Sequence, residues 1–138
     1  VINADYSDPD VVAVGNDYYL TASSFNCIPG LPILHSCDLV NWEIIGHAVD
    51  KLEPDSIFSK PAHGMGVWAP SIRFHNGEYY IYWGDPDYGV FMVKTKDPAG
   101  KYIYRTMTPD EYITMFSTRI KTGFFEKESI TSLKIIPS

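Results

Sequence analysis

The stretch Asp8-Pro9-Asp10-Val11-Val12-Ala13-Val14-Gly15-Asn16-Asp17-Tyr18-Tyr19-Leu20 decides the fold of this chain, because its pattern occurs twice. It aligns without a gap on Ala69 to Ile81, a constant 61 positions later. Both copies have a proline at the second position, a β-branched residue at the fourth, a turn and an acidic residue before two tyrosines. The first position differs, since Asp8 corresponds to Ala69. The repeating unit therefore does not need an acid there, which makes Asp8 a candidate for chemistry rather than architecture.

Each copy opens a series of short strands joined by turns. In the first series, a hairpin over residues 10–24 is followed by predicted strands at 31–35 and 42–49, with a turn at 38–41. The second series has a hairpin around Asn76-Gly77, the strongest short hairpin signal, then a strand at 90–94 and a turn at 97–100. Repeated four-stranded antiparallel meanders are typical of propeller blades. The sequence predicts an all-β fold of about two blades, the first over residues 5–50 and the second over 66–105.

Two segments do not follow the blade pattern. Residues 51–65 carry two prolines and scattered charge, so they are predicted to connect the blades. Residues 106–138 form an atypical tail with a predicted helix at 109–121, because Thr108, Pro109 and Glu111 provide N-terminal helix signals. The apolar face of that helix comprises Tyr112, Ile113, Phe116 and Ile120. A last strand is predicted at 129–136.

Composition excludes several classes of function. The net charge of −6, without a basic run, disfavours nucleic acid and anionic membranes as partners. No apolar run reaches the roughly 18 residues that span a bilayer, and no signal peptide or initiator Met is seen. Cys27 and Cys37 could pair across a hairpin, but we expect them to be buried free thiols.

Several motifs in the same order resemble the N-terminal part of a glycoside hydrolase of family 43. They are Asp8-Pro9-Asp10, Asp17-Tyr18-Tyr19, Ser24-Phe25-Asn26, Pro29 to Ile33, His35 to Trp42, and Gly66 to Pro70. The resemblance covers roughly residues 1–102. It implies a five-bladed propeller that cleaves glycosidic bonds with inversion, in a family of β-xylosidases, α-L-arabinofuranosidases and arabinanases. The five blades of that fold exceed the two predicted here, so the chain is expected to be a truncated form.

The resemblance implies that Asp8 is the general base. An inverting mechanism needs a carboxylate that deprotonates water on the face opposite the leaving group. At the start of an innermost strand, Asp8 would face the central channel. The structural alternative is that Asp8 forms an Asx-type turn before Pro9.

Three further residues are candidates for substrate binding. Phe25 and Trp68 match positions that resemble aromatic walls of a sugar subsite, although both could instead belong to the blade core. Asp85 lies in Trp83-Gly84-Asp85-Pro86-Asp87 at the end of a strand, where substrate contact and a turn role before proline are equally compatible with the sequence.

The other catalytic carboxylates of the family, a proton donor and a residue that tunes its pKa, have no matching motif in this chain. Glu43, Glu53, Glu78 and Glu111 stand outside any such motif. The four histidines lack metal-ligand spacing and are expected to be structural, so no metal site and no cofactor is predicted. Calcium ligands known in relatives would lie beyond this chain.

The expected function is hydrolysis of xylose- or arabinose-containing carbohydrates, with this chain alone inactive. Its predicted partner is a pentose-containing oligo- or polysaccharide, and the substrate class favours an extracellular or periplasmic location. Two alternatives stay open: a non-catalytic carbohydrate-binding β-module, and a structural fragment completed by association through its open blade edges.

Overall fold

The computed structural model describes residues 4–107, which fold as two four-stranded antiparallel sheets with a short helix between them. The first sheet contains β1 (Asp10–Val14), β2 (Asp17–Thr21), β3 (Gly30–Ser36) and β4 (Glu43–Val49). The helix is α1 (Asp55–Phe58). The second sheet contains β5 (Trp68–His75), β6 (Glu78–Asp85), β7 (Gly89–Thr95) and β8 (Ile103–Met107). In each sheet the strands pair in chain order, so both are the predicted meanders.

The sequence repeat is also a repeat of strand register. Val11 pairs with Leu20 in the first sheet, and Ile72 pairs with Ile81 in the second, again 61 positions later. The positive φ angles of Asn76 and Gly77, 49° and 77°, fit the tight hairpin turn that Asn-Gly predicts. The constant offset of 61 positions in the sequence therefore recurs in the strand pairing of the two hairpins.

The main hydrophobic core contains buried side chains from both sheets. Its fully buried members include Leu31 and Ile33 of β3 and Ile72 and Ile81 of the second sheet. A smaller cluster of Leu20, Ala22 and Leu34 is confined to the first sheet. Burial of this shared apolar surface holds the two sheets together.

A polar contact also joins the first strands of the two sheets. Asp10 Oδ2 of β1 accepts the backbone N–H of Ile72 at 2.9 Å and the guanidinium of Arg73, both in β5. Ser71, which corresponds to Asp10 in the repeat, has no carboxylate to return the contact. The two sheets thus share the register of their first hairpins but differ in this contact between their first strands.

Several boundaries and burial states differ from expectation. The connection between the sheets contains the one-turn helix α1, and β8 continues to Met107, past the predicted edge of the second blade at 105. Cys27 and Cys37 are free, as expected, but they are exposed rather than buried. Cys27 lies in the loop after β2 and Cys37 directly follows β3, so neither points into the sheet core.

The predicted helix at 109–121 and strand at 129–136 lie outside the described residues. Within residues 4–107, α1 is the only helix, and it is far too short to cross a membrane.

Candidate active site

Asp8 lies just before β1, exposed, in the left-handed backbone region with φ 47°. Its counterpart Ala69 has φ 40°. A non-glycine residue in this region is strained, and aspartate tolerates it better than alanine. Because alanine adopts the same conformation without a carboxylate, the backbone geometry at this position does not explain the acid.

The carboxylate of Asp8 is held by two hydroxyl groups. Ser7 Oγ donates to Asp8 Oδ2 at 2.8 Å, and Ser23 Oγ donates to the same oxygen at 3.0 Å. An Asx turn would need a backbone N–H as the donor, and none of residues 4–107 supplies one to this carboxylate. The second oxygen, Oδ1, accepts no hydrogen bond from this part of the chain. The turn alternative is therefore not supported by these contacts.

Ser23 connects the two equivalent positions. Its backbone N–H donates to Ser7 O at 2.9 Å, while its Oγ accepts the backbone N–H of Ala69 at 2.8 Å and donates to Asp8. One hydroxyl thus ties the start of β1 to the start of β5. Ser23 was not predicted from the sequence, because a serine in a loop gives no signal until the loop is folded beside another strand.

Phe25 and Trp68 lie around one backbone bridge. Phe25 and Val67 exchange two backbone hydrogen bonds of 3.0 Å, and Trp68 follows directly. Phe25 is 37% exposed and Trp68 40%, so neither belongs to the blade core. A Cβ at Gly66 would lie 2.4 Å from Phe25 O, which explains the glycine before Val67. Trp68 is fixed further by its Nε1, which donates to Gly64 O at 2.7 Å.

A concave surface with a volume of about 610 Å³ lies beside Phe25. It is lined by the loop after β2 and by the connection that contains α1, including Asn26, Phe58 and His63. Asn26 holds that connection, since its side chain donates to Phe58 O and accepts the N–H of Ala62, each at 3.3 Å. Of the four predicted site residues, Phe25 alone is among those that line it.

Asp85 is the last residue of β6 and is buried, 7% exposed. Its Oδ1 accepts the backbone N–H groups of Asp87 at 2.9 Å and Tyr88 at 3.1 Å. These contacts describe an Asx-type turn between β6 and β7. They show the turn role that the sequence allows for Asp85, and substrate contact by Asp85 stays a prediction.

The glutamates within residues 4–107 make contacts elsewhere. Glu78 pairs with Lys94 at 3.0 Å, Glu53 pairs with Lys51, and Glu43 Oε1 lies 3.9 Å from His35 Nδ1. Burial raises the pKa of Tyr104, whose hydroxyl contacts the backbone of Glu53, to about 12, so this phenol stays protonated at neutral pH. The contacts of the three glutamates therefore identify no general acid for Asp8 among the described residues.

Comparison with known proteins decides the family. The model of "Glycosyl hydrolases family 43" matches residues 1–119. The chain belongs to glycoside hydrolase family 43. The two sheets are thus two blades of the five-bladed propeller of this family, as the resemblance implied, and we refer to them as blade one and blade two.

This chain aligns with only a small part of the length of individual family 43 relatives. The chain is 41% identical over 106 residues to the non-reducing end alpha-L-arabinofuranosidase of Bacteroides ovatus, covering 74% of this chain and 20% of that protein. It is 35% identical over 105 residues to a beta-xylosidase of Formosa agariphila, covering 74% and 18%. The chain thus spans about a fifth of the length of these relatives.

Solved structures of family 43 proteins also match this chain over only a small part of their own length. The Bacteroides ovatus Xyloglucan PUL GH43B superposes with a TM-score of 0.62 at 40% identity, covering 72% of this chain and 20% of that one. The bifunctional GH43-CE protein of Bacteroides eggerthii gives 0.68 at 31% identity, covering 78% and 15%. Both likenesses support the propeller assignment.

Proposed function

We propose that this chain carries the base-bearing part of an inverting glycosidase that acts on xylose- or arabinose-containing carbohydrates. The observation that carries the proposal is the asymmetry between equivalent positions. Asp8 and Ala69 share a left-handed backbone, but a carboxylate stands only at position 8, exposed and oriented by Ser7 and Ser23. The similarity to a beta-xylosidase and to an alpha-L-arabinofuranosidase supports the substrate class.

In the proposed step, Asp8 Oδ1 accepts a proton from a water molecule. The water oxygen forms a bond to the anomeric carbon as the bond to the leaving oxygen breaks on the opposite face. The proton required by the leaving oxygen comes from a general acid, which the described residues do not identify. The hydroxyl bonds to Oδ2 would hold the carboxylate in one orientation and leave Oδ1 for the water.

The test is a chimaera in which residues 1–107 replace the matching stretch of the Bacteroides ovatus arabinofuranosidase, which is 41% identical over 106 residues. Asp8→Asn should lower kcat on aryl α-arabinofuranoside about 10²–10⁴-fold with little change in KM, because it removes proton transfer. Asp50→Asn, an exposed position, is the matched control and should keep the parent rate. An Asp8→Asn chimaera that keeps more than about a tenth of the parent rate would show that Asp8 is not the base.

The same proposal predicts no turnover by the 138-residue chain alone. Loss of general-acid catalysis costs about 10²–10⁴-fold, and loss of substrate orientation can raise the barrier by about 7–11 kcal/mol. Aryl β-xyloside, aryl α-arabinofuranoside and short pentose oligosaccharides are suitable substrates. Turnover abolished by Asp8→Asn would mean that this chain, or a second copy, supplies the acid.

Binding without turnover is a second candidate function, favoured by the exposure of Phe25 and Trp68. Flat aromatic side chains suit the apolar faces of sugar rings. Titration calorimetry with xylo- and arabino-oligosaccharides should detect binding that Phe25→Ala or Trp68→Ala weakens. Phe74→Ala is the control, since Phe74 is similarly exposed at 38%. Equal affinity in all three variants would exclude this function for the two aromatic residues.

A further inference from the structure

Three side chains with different ligand atoms meet at the end of blade one away from Asp8. Asp17 is the first residue of β2, His35 lies near the end of β3 opposite Tyr19, and Cys37 follows β3. β1 starts beside Asp8 and runs toward this end, and its five residues span roughly 17 Å at the rise of an extended strand. The cluster therefore plays no part in the proposed proton transfer.

The three ligand atoms form a compact triangle. His35 Nε2 lies 2.7 Å from Asp17 Oδ1, Cys37 Sγ lies 3.7 Å from the same oxygen, and Cys37 Sγ lies 3.9 Å from His35 Nε2. All three atoms fall within 4.8 Å of one another. Tetrahedral zinc, with bonds of about 2.0–2.3 Å, separates its ligand atoms by roughly 3.3–3.6 Å. The two sulfur edges already match within a few tenths of an ångström, and only the carboxylate–imidazole edge has to open.

The surroundings of the triangle suit a partly open metal site. Glu43 Oε1 lies 3.9 Å from His35 Nδ1, the ring nitrogen that the triangle leaves free. Metal-binding histidines are commonly oriented by a carboxylate on their second nitrogen. His35, Cys37 and Glu43 also line a concave surface of about 300 Å³. A water molecule therefore has room to complete four ligands.

Blade two has an ordinary ion pair at the same place. The pairing of Tyr80 with Lys94 matches that of Tyr19 with His35, so Glu78 and Lys94 correspond to Asp17 and His35. Lys94 Nζ lies 3.0 Å from Glu78 Oε2, and the position of Cys37 is taken by Lys96. The fold thus needs only an acid–base contact here. In blade one, imidazole replaces the ammonium group and a thiol is added, and imidazole, thiolate and carboxylate are the side-chain groups that commonly bind transition metals.

We propose that Asp17, His35 and Cys37 bind a divalent transition metal ion of the zinc type. Thiolate and imidazole favour zinc or cobalt over calcium and magnesium, which prefer oxygen ligands. Sequence spacing could not predict this site, because two ligands come from β3 and its following residue and the third from the start of β2. The prediction that the chain holds no metal site rested on the spacing of its four histidines and on the usual structural role of single histidines.

Cobalt(II) titration of the reduced 138-residue chain tests the proposal, because a cobalt–thiolate bond absorbs in the near ultraviolet. We expect one cobalt per chain, with a sulfur-to-cobalt charge-transfer band that added zinc removes. Cys37→Ser should abolish the band, whereas Cys27→Ser should keep it. Cys27 is the matched control, since these are the two cysteines of the chain and both are exposed. Circular dichroism checks that each variant remains folded.

Zinc affinity, measured by competition with a chromophoric chelator, tests the other ligands. His35→Ala and Asp17→Asn should each weaken zinc binding by at least about 10-fold, the low end of the loss when even an outer-shell partner is removed. Glu43→Gln should weaken it by about 10–100-fold if its carboxylate orients His35. His47→Ala, an exposed histidine on β4, should leave affinity unchanged.

Alkylation of the unmodified sequence provides a readout that needs no variant. Zinc should slow the reaction of iodoacetamide with Cys37 at least about 10-fold while Cys27 reacts as before, as followed by mass spectrometry of each cysteine. The proposal is overturned if the chain gives no cobalt–thiolate band. A band that survives Cys37→Ser, or equal protection of both cysteines, would overturn it as well.

Discussion

Blade one and blade two have the same strand order and the same register in their first hairpins, but they carry different chemistry at equivalent positions. Asp8 and Ala69 share a left-handed backbone, and only one of them has a carboxylate. Asp17 faces a histidine and a cysteine, whereas Glu78 faces a lysine. The second copy therefore shows what the fold requires. What blade one adds to it is a candidate for function.

The junction of the blades is asymmetric for a different reason. Asp10 reaches from β1 to the backbone of Ile72 and to Arg73, while its counterpart Ser71 lies in β5, the strand that receives the contact. β1 provides the carboxylate that accepts these hydrogen bonds, and β5 provides the N–H donors, so the two strands differ at this position. This difference is architectural, and it should appear in stability rather than in catalysis.

The largest expected effect comes from exchanging the first residues of the two blades. In the chimaera, Asp8→Ala combined with Ala69→Asp should leave kcat reduced about 10²–10⁴-fold, because a base at the start of blade two does not face the same water. Ala69→Asp alone should keep at least about a tenth of the parent rate. Recovery of full activity by the exchange would show that the two positions are chemically equivalent.

Ser23→Ala should have the next largest effect. It removes one of the two hydroxyl donors to Asp8 and the acceptor of the Ala69 N–H. A hydrogen bond to a charged group contributes about 1.5–3 kcal/mol, so kcat should fall by roughly 10–100-fold. Ser23→Thr keeps the hydroxyl and should restore most of the rate. A rise in KM with unchanged kcat would contradict a role in orienting the base.

The blade junction can be tested through stability. Asp10→Ala removes the acceptor of the Ile72 N–H and the ion pair with Arg73. Because both side chains are partly exposed, we expect the free energy of unfolding in urea to fall by about 1–2 kcal/mol. Ser71→Ala, the equivalent change in blade two, should stay within about 0.5 kcal/mol. Equal losses would mean that the junction does not depend on Asp10.

The smallest effect concerns the ion pair of blade two. Hydrogen bonds from Lys94 and then from the Tyr80 hydroxyl hold the pKa of the Glu78 carboxyl below its ordinary value. A carboxyl whose pKa is lower in the folded state stabilises the protein above its unfolded pKa, and this contribution is lost as the pH falls through the folded pKa. Glu78→Gln should therefore flatten the acid side of the stability profile, measured by urea unfolding from neutral pH down to about pH 3. An unchanged slope would contradict the ion pair.

Local pattern was sufficient for the strands and turns. The alternation of apolar and polar residues in the strands, the Asn76-Gly77 pair and the turn residues Asp38 and Asp97 are all signals within a few neighbouring positions. The structure confirms the turns that they predict. The carboxylate of Asp38 accepts a hydrogen bond from the backbone N–H of Asn41, and that of Asp97 accepts one from Ala99. The backbone N–H groups of both aspartates donate to a hydroxyl at the end of the preceding strand, β3 or β7. Such contacts join residues two or three positions apart, so the sequence alone can reveal them.

Contacts between distant segments were not predictable in the same way. Ser23 gained a role only when its loop was packed beside Ala69, 46 positions later, and Asp10 only when β1 was packed beside β5. The exposure of Cys27 and Cys37 was mispredicted because a cysteine's hydrophobicity does not say on which side of a loop it lies. The two backbone N–H groups that donate to Asp85 are likewise known only from the structure.

The sequence by itself determined the two-blade repeat, the turns of its hairpins and the family, because each depends on residue order along a short stretch or on several motifs in series. It also singled out Asp8, since the internal repeat provided its own comparison. Only the tertiary structure decided which hydroxyls hold Asp8 and which three side chains meet at the other end of blade one. The physical reason is that hydrogen bonding and metal ligation act over a few ångströms in space, and distance in sequence does not report that separation.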